Sequence, residues 1–203
     1  TVTATPTPTP STGDSSAPTD GSIIINSGAS YTNSTGVTLT LSAKDNTGVT
    51  GYYLSQNSST PSSSASGWTS VSSSTSYSGS VSYTLSGSDG NKTVYVWFKD
   101  AAGNVSSSAS DDITLDTTSP TINITNPTSD ATYTATSSTI SLGGSASDST
   151  SGIKEVTWTN SSGGSGTASG TTSWTISNIS LSNGDTIMDW DFRTSSEESN
   201  LVK

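Results

Sequence analysis

The residues able to do chemistry in this 203-residue chain are carboxylates, carboxamides and aromatic rings. There are 16 Asp plus Glu against six Lys plus Arg, a formal charge of −10, and neither His nor Cys. A Ser-His-Asp or Cys-His catalytic unit, an imidazole or thiolate metal site, covalently attached haem and a disulfide framework are therefore excluded. What survives is hard-cation binding, because calcium takes carboxylate and carbonyl oxygens. Asp45, Asp100 and Asn104 are expected at one end of a first module, with Asp111, Asp112 and Asp116 approaching its junction with a second. These six are the candidate Ca2+ ligands. A plainer use of the same types stays open: Asp45, Asp100 and Asp148 as turn residues capping backbone amides, with Gly48, Gly103 and Gly152 supplying left-handed conformations. No complete D-x-D-x-D-G loop is present.

Two further groupings invite a chemical reading. Asp189 and Asp191 alternate with Met188, Trp190 and Phe192, which puts the two carboxylates on one strand face about 7 Å apart. That is a glycosidase-like spacing, but the alternating apolar residues make it the solvent face of a core strand, and no catalytic residue is expected. Tyr53, Tyr95 and Trp97 alternate with apolar residues and are expected to point outward together, a platform for stacking on a sugar ring or docking a protein. The competing reading is that these rings cover one another or are covered by the Trp68 and Tyr77 region. The acidic balance repels phosphate backbones, so no nucleic-acid partner is expected.

These residues must be held by elements of unusual composition. Ser and Thr make up 86 of 203 residues, while Leu, Ile, Val and Phe number 31. So low an apolar content suits disorder unless the apolar residues are placed periodically. They are. Val37, Leu39 and Leu41 alternate with Thr; Val81, Tyr83 and Leu85 alternate with Ser and Thr; Val94, Val96 and Phe98 follow beyond a Gly-Ser-Asp-Gly-Asn turn. Trp158 aligns with Leu54 and is expected in a core. The longest apolar run, Ile23-Ile24-Ile25, is far short of a membrane span.

Residues 1–18 alternate Thr and Pro and read as a semi-rigid spacer open to O-glycosylation; the first residue, Thr rather than Met, suggests a processed or excerpted chain. Beyond it the chain repeats with an offset of about 100 residues. Asp14-Ser15-Ser16-Ala17-Pro18 returns as Asp116-Thr117-Thr118-Ser119-Pro120, Tyr31 as Tyr133, and Ser42-Ala43-Lys44-Asp45 as Ser145-Ala146-Ser147-Asp148. Two related modules are expected, 19–116 and 117–203. Each has roughly seven short strands with Gly, Asn, Asp and Ser turns and no helical periodicity, which predicts an all-β chain of two tandem antiparallel β-sandwiches.

The Asp-Ser/Thr-Ser/Thr-Ala/Ser-Pro boundary, the Ser-Ala-x-Asp stretch before the third strand, and Val94 to Asn104 ending in Asp-Ala-Ala-Gly-Asn together resemble tandem bacterial immunoglobulin-like repeats. Those repeats are related in fold to fibronectin type III and cadherin modules and occur in large secreted and surface proteins. The resemblance covers about 19–192 and implies an extracellular spacer, adhesive or assembly role, with no activity of its own and with neighbouring repeats or other copies as partners. Calcium at module junctions is what the cadherin-like members imply. Module two departs from the pattern: the Asp-Ala-Ala-Gly-Asn turn is missing and only ten residues follow Arg193. Its last strand is either shortened to about Asn200–Val202 or absent, leaving an edge that a strand from another chain could fill, with Ile23, Ile24 and Ile25 as the candidate donor. The alternative function is a carbohydrate-binding accessory module of a secreted polysaccharide-degrading enzyme.

Overall fold

The computed structural model describes residues 13–130, 133–161, 163–182, 187–194 and 200–202. Most of the Thr-Pro spacer, residues 1–12, lies outside them, as do the side chains of Asp189 and Asp191. The described residues are all-β apart from one 3-10 turn at Asn26–Gly28, and they divide into two compact units. One comprises Thr1–Ser30 with Thr35–Ile113, the other Tyr31–Ser34 with Thr114–Lys203.

The first strands are β1 Thr19–Ile25, β2 Tyr31–Thr32, β3 Gly36–Ser55, β4 Thr69–Thr84, β5 Gly90–Asp100 and β6 Ala109–Leu115; β2 and the last two residues of β6 fall in the second unit, the rest in the first, module one. The sheet runs β1-β3-β5-β6-β2, with β4 also on β3. Its organising element is the 20-residue β3, whose register breaks between Lys44 and Val49. Before the break β3 pairs with β1 and the second half of β4; after it, with β5 and the first half of β4. One bent ribbon thus supplies strands to two layers, and the layers meet in a core. Leu39 and Leu41 lie opposite Ile25 and Ile23 across β1, and all four are buried. Val94, Val96 and Phe98 close the core from β5. The Phe98 ring lies against Gly21 of β1 and 6.0 Å, centroid to centroid, from Tyr77 of β4.

Module two repeats this scheme with its ribbon cut. Its strands are β7 Thr121–Asn126, β8 Thr139–Ser147, β9 Ile153–Asn160, β10 Ser165–Thr167, β11 Ser173–Ser180, β12 Ile187–Thr194 and β13 Asn200–Val202. They form one sheet β11-β8-β7 and another β10-β9-β12-β13. The pairings match module one when β8 and β9 are read as the two halves of β3, and β10 and β11 as the two halves of β4. Asp148 sits at the cut where Asp45 sits at the bend. The shortened last strand is the form observed: Asn200–Val202 pairs with Phe192–Trp190 along β12.

The Trp158 expectation needs correction. The fully buried centre of module two is Trp174 on β11, surrounded by Leu142, Ala146, Val156, Ile176 and Ile179, while Trp158 is only partly buried at its margin. Trp158 shares a strand face with Val156 and stands opposite Trp190 of β12 in the register.

Candidate functional site

The break in β3 is where the acidic residues gather. Asp45 stands at its start and turns its Oδ1 onto the bulge, accepting from the backbone N–H of Thr47 at 3.0 Å and of Gly48 at 2.7 Å, and from the Thr47 hydroxyl at 3.0 Å. Gly48 sits at φ 128°, a conformation that L side chains rarely adopt. The β3–β5 register places Val49 opposite Asp100, so the bulge lies beside the turn that ends β5. Asp100 Oδ1 there accepts from the N–H groups of Gly103 and Asn104 at 2.7 and 2.8 Å, and its Oδ2 from Asn104 Nδ2 at 2.6 Å. Both carboxylates are almost fully buried, Asp45 at 7% exposure and Asp100 at 2%.

The third member is Asp14, in the segment whose Thr-Pro composition reads as spacer. Its carboxylate accepts from the Thr47 hydroxyl at 2.6 Å, the Ser16 N–H at 3.0 Å and Asn46 Nδ2 at 3.3 Å. The Thr47 hydroxyl, and after it the Ser16 N–H, hold this carboxyl below its usual value. Asn104 Nδ2 also reaches the Asp14 carbonyl at 3.2 Å. Residues 14–18, expected in the spacer, are therefore docked on module one, with Pro18 buried. Module two is approached the same way: Asp116 Oδ1 accepts from the Thr118 N–H at 3.2 Å, and Pro120 is buried.

The six expected ligands are thus not one set. Asp45, Asp100 and Asn104 come together, and Asp14 joins them; Asp14, Asp45 and Asp100 are the one such carboxylate group among the described residues. Asp111 is used elsewhere, its Oδ2 accepting the Ile25 N–H at 2.8 Å, while Asp112 is exposed and Asp116 is buried at its own turn. The signal for Asp14 was present in the sequence, since the repeat offset pairs it with Asp116.

The aromatic platform is corrected more sharply. Trp97 is fully buried, although Val96 and Phe98 beside it already face the core. The β3–β5 face that should be solvent is roofed by the loop after β3. Trp68 from that loop packs edge-on against Tyr53 at 5.6 Å, and Tyr53 against Trp97 at 6.2 Å. Lys99 lies over the Trp68 ring at 4.8 Å and donates to the Ser63 carbonyl, while Trp68 Nε1 donates to Ser62. Tyr95 stacks on Trp97 and stays half-exposed at the rim. There it lines an open polar cleft of about 630 Å³ with Tyr83, Gln56, Asn57 and Ser86. Ile23–Ile25 is likewise not a free donor: it is the first strand of its own sheet, with Ile23 and Ile25 buried and Ile24 outward. No helix among the described residues is long and apolar enough to cross a membrane.

Residues 120–187, about a third of the chain, match the family model described as a bacterial Ig domain. No curated protein matches the sequence. Among solved structures, the fibronectin(III)-like modules of Clostridium thermocellum CbhA are 15% identical over 87% of this chain and 88% of theirs, with a TM-score of 0.44. A tetra-tandem repeat from the extending region of a large adhesion protein is 20% identical over 92% of this chain, with a TM-score of 0.30; the chain spans 47% of its length. By its sheets, its repeated modules and the match at 120–187, the chain resembles tandem bacterial Ig-like repeats.

Proposed function

We propose that this chain is a non-catalytic, extracellular structural or adhesive segment of a bacterial surface protein, built to be pulled on between its ends. The observation that carries the reading is the repeated docking of the incoming chain. Asp14 with Ser16 and Asp116 with Thr118 form the same turn, each followed by a buried Pro and then by the first strand of its module. Only five residues separate β6 from β7. A series of such modules passes tension from one sandwich to the next with little loose chain between. Hydroxyl side chains, which carry no charge, cover the outward strand positions, as along β4. The test is single-molecule pulling from the two ends. Two separate unfolding events are expected, releasing about 350 Å and about 300 Å of chain at roughly 3.4 Å per residue, before the folded length is subtracted. A single featureless extension would refute it.

A second reading, carbohydrate binding, keeps one specific support: the Tyr83–Tyr95 cleft, whose two rings and amide side chains have the make-up of a sugar site. It no longer runs through Trp97. Retardation of the chain in polysaccharide-loaded gels, abolished by Tyr95→Ala, would favour it; unchanged mobility across insoluble and soluble glycans would remove it.

A further inference from the structure

We propose that Asp14, Asp45 and Asp100 bind a divalent cation of the calcium class. One carboxylate oxygen from each lies within 4.8 Å of the others. Two oxygens bound to one ion at calcium distances stand at most about 5 Å apart, so the three can share an ion without rearranging the backbone.

Clustered carboxylates alone would not make a site, since each of these also serves a turn. The second observation is Asp45 Oδ2. While Oδ1 receives three donors, Oδ2 is buried and accepts from nothing. A buried carboxylate oxygen has given up water and, unpaired, has gained nothing in return. Two more carboxylates stand beside it, and no cationic side chain offsets them among the described residues: Lys44 pairs with Asp20, and Lys99 is turned to the Ser63 carbonyl. A bound cation supplies the missing partner and relieves the mutual repulsion in one step.

The surroundings define the ion. Every donor is oxygen, which selects a hard cation over zinc or copper. Neutral oxygens are close: the Asp14 and Ser16 carbonyls accept from Asn104 Nδ2 at 3.2 and 3.4 Å, and the same amide donates to the Asp100 carboxylate at 2.6 Å. The ligands come from three separate segments, each held by its own turn. Calcium accepts such irregular sets, whereas magnesium demands a near-ideal octahedron. Because Asp14 precedes β1 while Asp45 and Asp100 belong to the sandwich, the ion would fasten the incoming chain to module one.

The experiment uses the full chain stripped with chelator, titrated calorimetrically with CaCl2 and separately with MgCl2. Saturable calcium binding is expected, with a Kd of about 10⁻⁴ to 10⁻³ M or tighter, the range of extracellular modules, and weaker magnesium binding. Calcium should raise the melting temperature of one of the two modules and slow proteolytic cleavage within residues 13–18. Asp14→Asn, which keeps an acceptor for the Ser16 N–H, should melt like the parent in EDTA and bind calcium at least about tenfold more weakly. Absence of binding by the parent chain at 10 mM CaCl2, on the order of ten times the weakest expected Kd, would overturn the proposal, as would Asp14→Asn binding as tightly as the parent.

Discussion

Trp174→Ala tests where the core of module two lies. The indole is fully buried and centred among Leu142, Ala146, Val156, Ile176 and Ile179. A buried Trp removes about 150–250 Å² from water, which at about 25 cal/mol per Å² is about 4–6 kcal/mol of transfer free energy. Partial collapse of the cavity brings the expected loss to about 3–5 kcal/mol. With so few buried residues to share it, that approaches the whole stability of a small domain. Scanning calorimetry of the full chain should show one transition lost, or lowered by about 12 °C or more, with the other in place. Trp158→Ala, at the margin, should cost roughly half as much. A Trp174→Ala chain melting within a few degrees of the parent, or a larger loss from Trp158→Ala, would refute this placement of the core.

Gly144→Ala should be strongly destabilising, because a Cβ there collides with the Asn123 carbonyl and meets the Trp174 ring, whereas Gly143→Ala, with its nearest neighbour at 3.4 Å, should melt close to the parent. Trp97 Nε1 is buried without a partner, so Trp97→Phe removes that deficit along with some volume and should change stability by no more than about 1 kcal/mol in urea denaturation, while Trp97→Ala should cost about 3–5 kcal/mol. Burial raises the phenol pKa of Tyr77, with Tyr52 adding to it, and burial alone raises that of Tyr83. The folded state therefore favours the neutral phenols. Stability from this source is intact below about pH 10 and falls as pH rises through the raised values, a decline that Tyr77→Phe should blunt in melts followed by circular dichroism.

Alternation made the strands legible. Val37-Leu39-Leu41 and Val94-Val96-Phe98 are inward-facing as their spacing required, and the two stretches paired by the 102-residue offset form the same turn. Alternation could not report a roof. Trp97 occupies an outward position on β5 and is buried because its cross-strand neighbour Tyr53 on β3 packs against it and a Ser-rich loop brings Trp68 onto Tyr53, a tertiary contact without local periodicity. Ile23–Ile25 misled for the opposite reason: three consecutive apolar residues hide which of them face in. Asp14 was masked by composition, since Thr-Pro surroundings read as spacer although its repeat partner Asp116 was already a candidate ligand. The split of β3 in module two follows the one extra residue between Asp148 and Gly152, compared with Asp45 and Gly48.

The molecule proposed here is a tension-bearing pair of modules, the first fastened to its incoming chain through three carboxylates. Pulling single molecules from both ends, in calcium and then in EDTA, tests it most directly. Two unfolding events are expected in both buffers, with calcium raising the force of the longer one, from module one, and leaving the shorter unchanged. One event in both buffers would contradict the two-module reading, and two events indifferent to calcium would contradict the carboxylate clasp.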